Sequence, residues 1–385
     1  MIMKNNFYTS IGLMSGTSMD GIDASLIRSD GINEYTNIFD EFYEFEDNLH
    51  KKLINLRNFI HNTDSLLKYS SDLKDLEREF TIFHSKIVNK IIKKYKEKID
   101  LIGFHGQTMF HNSNIGISKQ IGDGKLLSQL TKKKVVYNFR EKDMTNGGQG
   151  APLVPIFHNL LSKIINDKNK VDYPICFLNI GGISNITITT KDKEFPNKKF
   201  KAFDIGPGNC LIDKWIKKNS AKRYDYNGLI GKSGKIDSLI LNQAIENFNI
   251  DSYEKSLDIK DFDITFAKGL SLEDGCATIT SYTAYLISKG IEYANNFNKN
   301  IKTKYFVCGG GRKNIFLIEN IKKNLSKFKN IELEIIDNYN LNGDFIESQA
   351  FGYLAIRSFL NLPISFPQTT GCKTPISGGE IISNF

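Results

Sequence analysis

The chain has 385 residues, more than one hydrophobic core usually organises, so two domains are expected. It is 40% hydrophobic and 24% charged with no apolar run of membrane-spanning length, which predicts a soluble globular protein with no membrane partner. The formal charge of +8 sits in clusters such as Lys132-Lys133-Lys134 without interleaved aromatics, which argues for solvated helix faces and against a nucleic-acid partner.

Five widely spaced cysteines with no Cys-x-x-Cys pair read as free thiols in a reducing compartment. The N-terminus lacks a basic region followed by an apolar core and a small-residue cleavage site, so the cytoplasm is the expected location.

The first element joins two apolar, strand-like runs through a turn of small residues, Ile11 to Asp23, with Ile22, Ala24 and Leu26 alternating on its far side. Gly16 and Gly21 let the backbone approach a ligand, Thr17 and Ser18 add hydroxyls, and Asp20 and Asp23 would face Mg²⁺ or a water rather than bare phosphate. A phosphate-holding turn and a plain tight hairpin both fit this stretch. A strand is expected over Ile38 to Phe45. From Leu66 to Ile91 apolar residues recur at steps of three and four, predicting one long amphipathic helix or two in succession, with His84 packed beside the stripe.

Ile99 to Phe104 reads as a buried strand ending in His105-Gly106-Gln107-Thr108, which delivers polar groups where α/β proteins bind ligands; His105 or Gln107 suits sugar hydroxyls. His105 and His111 match no standard metal spacing, and no direct side-chain metal ligation is predicted. Gly122 to Thr131 is a turn and helix, Val135 to Phe139 a strand followed directly by Arg140. The Gly-rich segment Asn146 to Leu153 marks the exit from the first domain. Strand, Gly/Ser turn and strand then recur over 175–190, which implies two similar domains.

The segment 192–199 reads as a polar loop. The strand from Phe200 leads into Asp204-Ile205-Gly206-Pro207-Gly208-Asn209 and a helix whose N-terminus suits phosphate oxygens. Asp204, at the strand end, is the candidate general base. A helix-rich stretch, 224–273, and a packed helix, 271–294, follow. Lys304 to Cys308 is a strand opening on Gly309-Gly310-Gly311, where a flat ring such as adenine, or only a tight turn, would fit. After a strand at 331–336, Glu347 stands in the first turn of a helix, either complementing the dipole or acting in the chemistry. The tail from Leu362 is extended. The expected borders are 1–148 for the N-terminal lobe, with 362–385 returning to it, and 149–361 for the C-terminal lobe.

These glycine loops, paired halves and acidic residues resemble the actin-like (RNase H-like) ATPase superfamily, which implies an α/β fold of two lobes with a central nucleotide and substrate cleft. A narrower resemblance is carried by Gly12 to Asp23, Gly103-Phe104-His105-Gly106-Gln107-Thr108, Gly147 to Leu153, Asn179-Ile180-Gly181-Gly182-Ile183-Ser184-Asn185, Asp204 to Asn209 and Glu347-Ser348-Gln349-Ala350-Phe351. This ordered set is similar to the anhydro-N-acetylmuramic acid kinase family. Ile205 stands where that family more often has Thr, Cys372 where it more often has Ala, and 224–228 is irregular against its pattern.

The resemblance implies phosphorylation of O6 of 1,6-anhydro-N-acetylmuramic acid by ATP with Mg²⁺ while water opens the anhydro bridge, in peptidoglycan recycling, by a homodimer. It implies Asp204 as base and Glu347 as second carboxylate. Gly16, Thr17, Ser18, Met19, Asp20, Gly21, Ile22, Asp23, Gly181, Gly206, Gly208, Asn209, Gly309, Gly310 and Gly311 would serve the nucleotide, and His105, Gln107 and Arg140 the sugar. The alternatives are a kinase of another amino sugar or hexose and a non-metabolic ATPase of the actin or heat-shock type.

Overall fold

The computed structural model describes residues 6–191, 200–248, 253, 256–298 and 301–385; the expected loop at 192–199 lies outside them. The chain divides into two compact units, Met1–Leu160 with Phe345–Phe385, and Leu161–Asp344. These changeovers differ from the sequence borders at 148/149 and 361/362. The first falls inside the helix Pro155–Asn169, and the second precedes the helix Ile346–Phe359, which packs on strands of the first unit.

The strands in chain order are β1 (Tyr8–Met14), β2 (Gly21–Ser29), β3 (Tyr35–Glu44), β4 (Leu101–Phe104), β5 (Gln107–Asn112), β6 (Ile117–Ile121) and β7 (Lys134–Tyr137). They continue with β8 (Ile175–Ile180), β9 (Ile183–Thr189), β10 (Phe200–Pro207), β11 (Thr303–Cys308), β12 (Ile331–Ile335) and β13 (Glu380–Ile382). The first unit's sheet runs β13-β7-β4-β1-β2-β3 and the second's β10-β9-β8-β11-β12. In each, three strands form an antiparallel meander whose first member also starts a parallel run, β1-β4-β7 and β8-β11-β12. Without β13, each sheet has the same order and polarity, the RNase H-like plan expected of an α/β chain with paired halves.

Strand periodicity places the cores. Ile11, Leu13, Ile22, Ala24 and Leu26 are buried in the first unit with Phe80, Ile102 and Phe104, while Leu178, Ile186, Ile205, Ile212 and Trp215 are buried in the second. The stripe from Leu66 is two helices, Thr63–Lys68 and Ser70–Lys94, broken at Tyr69. His84 is buried among Phe80, Phe104 and Phe45, with ring centroids 4.1, 4.9 and 6.4 Å away. The β5–β6 hairpin was not anticipated from the sequence; Asn112 and Gly116, with φ of 67°, cap its connection.

The helix Ile346–Phe359 lies directly on strand backbone. Gly12 and Gly103 are register partners on β1 and β4; a Cβ on Gly12 would fall 1.9 Å from the Ser348 carbonyl oxygen, and one on Gly103 2.2 Å from that of Phe351. Only glycine at both positions permits this approach.

Candidate functional site

The β1–β2 connection carries the expected phosphate-binding residues, and the structure sorts them. Thr17 and Ser18 are exposed, and Ser18 Oγ donates to Asp20 Oδ1 at 2.7 Å. A Cβ on Gly16 would meet nothing nearer than Ser18 Oγ at 3.9 Å, so space lies open beside it. Met19 turns the chain at φ 55° and donates its N–H to the Gly16 carbonyl at 3.2 Å. The side chains of Met19 and Ile22 lie in the core, which leaves only their backbone to face a ligand. Gly21 serves packing: a Cβ there would sit 2.4 Å from the Tyr43 carbonyl oxygen. Asp20 and Asp23 are half-buried.

Gln107, expected among the sugar-binding groups, is buried with its amide turned onto this same loop. Its Oε1 accepts from Ser15 Oγ at 2.7 Å and its Nε2 donates to the Gly16 carbonyl at 3.2 Å. Ser15, missed in the sequence, also lies 3.0 Å from the Gly21 carbonyl oxygen, so one hydroxyl ties both ends of the turn to Gln107. The long sequence separation leaves no local signal for this brace.

His105 follows β4 and is buried. Arg140 Nη2 donates to its Nε2 at 2.9 Å, which puts the ring proton on Nδ1, 2.8 Å from the Gly106 carbonyl oxygen. Burial, and secondarily the Arg140 charge, depress its pKa to about 3, so at neutral pH it is a fixed neutral ring. Arg140 Nη1 also donates to the Gly150 carbonyl at 2.7 Å. The buried Asp143 accepts from Gly150 N at 2.7 Å and from Thr370 Oγ1 at 2.6 Å, fastening the Gly-rich segment and the tail around this pair. Glu347 is half-buried in the first turn of Ile346–Phe359.

In the second unit, Asp204 lies on β10 at an irregularity in its pairing with β9, between Asp204 and Gly206. Its Oδ2 accepts from Leu257 N at 2.8 Å and Ser256 Oγ at 3.3 Å, so the carboxylate is aimed by a segment distant in sequence. The turn after β8 and the turn after β10 clasp each other: Asn209 N donates to the Gly181 carbonyl at 2.7 Å and Gly208 N to that of Gly182 at 2.9 Å.

The predicted glycines fall into two groups. Gly208, Gly309 and Gly311 are required by packing, since a Cβ would come within 2.2 Å of the Gly181 carbonyl oxygen, 2.3 Å of Asn179 Oδ1 and 2.2 Å of Ile180 Cγ2 respectively. Gly206 takes φ 146° at the strand irregularity. Gly181 and Gly310 instead leave room. A Cβ at Gly310 would meet nothing nearer than Asn209 Nδ2 at 3.8 Å, and Asn209 opens the helix Cys210–Asn219 without spending its side chain on a cap. Open space beside a helix N-terminus is the arrangement that suits a flat or anionic group.

Arg312, also missed, holds the triple-glycine turn. Its Nε and Nη2 donate to Asp337 at 2.6 and 2.9 Å, and its Nη1 to Asp344 at 2.6 Å and to the Gly309 carbonyl at 3.1 Å. Burial acts to raise both carboxyls, but the bonds to Arg312 outweigh it and leave both below the usual range. Among the described residues no group of three or more His, Cys, Asp or Glu side chains is gathered as a metal site.

The profile of a family described as anhydro-N-acetylmuramic acid kinase matches residues 8–384. A protein of that description from Pelagibacter ubique is 54% identical over 381 residues, spanning 98% of this chain and 99% of the relative. One from Rhizobium etli is 37% identical over 381 residues, spanning 97% and 98%. Among solved structures, the activator of the 2-hydroxyisocaproyl-CoA dehydratase from Clostridium difficile with bound ADPNP aligns over 90% of this chain and 94% of its own at 11% identity and a TM-score of 0.39, too loose a likeness to carry an argument.

Proposed function

The chain belongs to the anhydro-N-acetylmuramic acid kinase family, and we propose that it uses ATP to phosphorylate O6 of 1,6-anhydro-N-acetylmuramic acid while water opens the anhydro ring, giving N-acetylmuramic acid 6-phosphate. The observation that carries this reading is the 54% identity over 98% of the chain, a span that takes in every loop described above.

The roles follow from chemistry. Water adds to the anomeric carbon, the C1–O6 bond breaks, and O6 takes the γ-phosphoryl group. Asp204, aimed by Leu257 N, accepts the proton of that water, with Glu347 as the second carboxylate. The open backbone at Gly181 and Gly310 and the amide of Asn209 suit the nucleotide, and the Gly16–Ser18 turn suits its phosphates. When bound, Mg²⁺ would neutralise charge on the phosphates, and Asp20 and Asp23 are the carboxylates that would hold its waters. His105, with both ring nitrogens engaged by Arg140 and the Gly106 carbonyl, serves the sugar indirectly, by holding Arg140 in place.

The five cysteines are free thiols and no helix among the described residues is long and apolar enough to cross a membrane, features that fit a cytoplasmic enzyme of cell-wall recycling. A homodimer is part of the same reading.

The test is turnover of the anhydro-sugar with ATP and Mg²⁺ in ¹⁸O-labelled water, read by mass spectrometry. Label is expected at the anomeric hydroxyl of the product, and an unlabelled product would defeat the coupled ring opening. Asp204→Asn should lower product formation by about a thousandfold with ATP still bound, the scale of losing a positioned base.

A further inference from the structure

Ser348 and Gln349 follow Glu347 in the first helical turn, and both are buried. Neither has a part in the chemistry above, yet both are tied to the β2–β3 ladder. The register sets Ser25 opposite Asp40. Asp40 Oδ1 accepts from Ser25 Oγ at 2.6 Å, Oδ2 from Asn37 Nδ2 at 2.6 Å, and Gln349 Nε2 lies 3.1 and 3.0 Å from the two oxygens. Gln349 Oε1 accepts from Tyr35 OH at 2.7 Å. Ser25, its one hydrogen directed to Asp40, is left to accept from Ser348 Oγ at 2.7 Å.

Hydrogen accounting makes this a directed network. Ser348 Oγ lies 2.7 Å from Ser25 Oγ and 3.0 Å from the Phe345 carbonyl oxygen and shares its one hydrogen between them, and Ser25 gives to Asp40; Tyr35 gives to Gln349 and Gln349 to Asp40. Each path ends on a carboxylate that only accepts. Burial, and then Asp40, push the Tyr35 phenol well above its ordinary range, so it stays a donor. The helix rests on the backbone of β1 at Gly12, which fixes its depth, while the network fixes its first turn sideways.

We propose that Asp40 and Gln349 are positioning residues that hold the Glu347 carboxylate for the reaction, an inference that rests on the role given to Glu347 above. Gln349→Glu sets a second carboxylate against Asp40 and breaks the pattern. Adding Asp40→Asn restores it with the charge moved: the introduced amide donates to the introduced carboxylate, which still accepts from Tyr35, while the exposed Asn37 turns its amide oxygen to the second new hydrogen.

The experiment measures kcat, KM for ATP and thermal melting for Q349E, D40N/Q349E, E347Q and E347Q/Q349E. Q349E should lose about a hundredfold in kcat, the scale of a small misplacement, with KM for ATP within about twofold. The D40N/Q349E double variant should return to within about threefold of wild type, and Q349E should cost nothing further in the E347Q background. A wild-type kcat in Q349E, a double variant that folds but stays slow, or an equal loss with and without Glu347 would each overturn the positioning role while leaving the reaction untouched. Wild-type turnover in E347Q would instead remove Glu347 from the chemistry and this inference with it.

Discussion

At Gly310 a methyl group finds room beside Asn209 Nδ2, 3.8 Å away, whereas one residue later, at Gly311, it would strike Ile180 Cγ2 at 2.2 Å. The two alanine variants should therefore fail in opposite ways. Gly310→Ala is expected to melt like the wild type but to bind ATP at least about tenfold more weakly, because the methyl occupies the open space. Gly311→Ala is expected to lose about 2 kcal/mol of stability from overpacking the core. Calorimetric titration with ATP and denaturant unfolding separate the two; unchanged ATP affinity in Gly310→Ala would move the nucleotide elsewhere. The triple glycine reads in sequence as either a nucleotide seat or a tight turn; the structure shows Gly311 held by packing and Gly310 with room beside it. Gln107 shows the opposite limit. Its residue type announces a polar contact, but the partners, Ser15 and Gly16, lie far away in the chain, so only the fold reveals that its amide is spent on the loop.

The helix Ile346–Phe359 carries Glu347 in its first turn. Its residues from Ser348 to Ser358 are all buried, so it has no polar stripe to tell which sheet it covers. That is why the sequence located the helix while setting it on the other side of a border. Its docking is written instead in Gly12 and Gly103, adjacent across two parallel strands. Gly12→Ala would drive a methyl to 1.9 Å from the Ser348 carbonyl oxygen and 2.4 Å from Gly352 N, where backbone and not a flexible side chain must yield. We expect it to cost about 3 kcal/mol or more, at the severe end for one methyl, and to lower kcat by shifting Glu347. Urea unfolding with steady-state assays checks both, and a stability within about 0.5 kcal/mol of wild type would contradict the flush packing. The β5–β6 hairpin escaped the sequence reading for a related reason: Gln107–Asn112 and Ile117–Ile121 are short and half polar, so the period-two signal was weak.

Across the whole molecule, the duplicated sheet was legible because each copy opens with the same strand, Gly/Ser turn and strand, at 11–27 and at 175–190. The two copies differ in one respect that makes them separable by pH. All six histidines precede residue 161 and so belong to the first unit, while the single tryptophan, Trp215, is buried in the core of the second. Burial lowers His84, His105 and His158 from an ordinary 6.5 to about 3, with the Arg140 charge adding to the effect at His105. Between those values the unfolded chain takes up protons that the folded unit refuses, so stability is full above 6.5 and falls as pH drops towards 3. Each histidine contributes a slope of up to about 1.4 kcal/mol per pH unit, so three together cost about 6 kcal/mol by pH 5, a large part of the margin of an ordinary domain. Carboxylates titrate mostly below that window, so the second unit should hold. Urea unfolding at pH 7 and pH 5 should therefore show the far-UV circular dichroism transition moving to lower urea while Trp215 fluorescence keeps its midpoint. His84→Gln should lessen the shift by about one third of its size, the share of one in three equal titrations. If the Trp215 transition moved as far as the other, the acid sensitivity would not be a property of the histidine-bearing unit, and the buried neutral state of these three rings would lose its thermodynamic consequence.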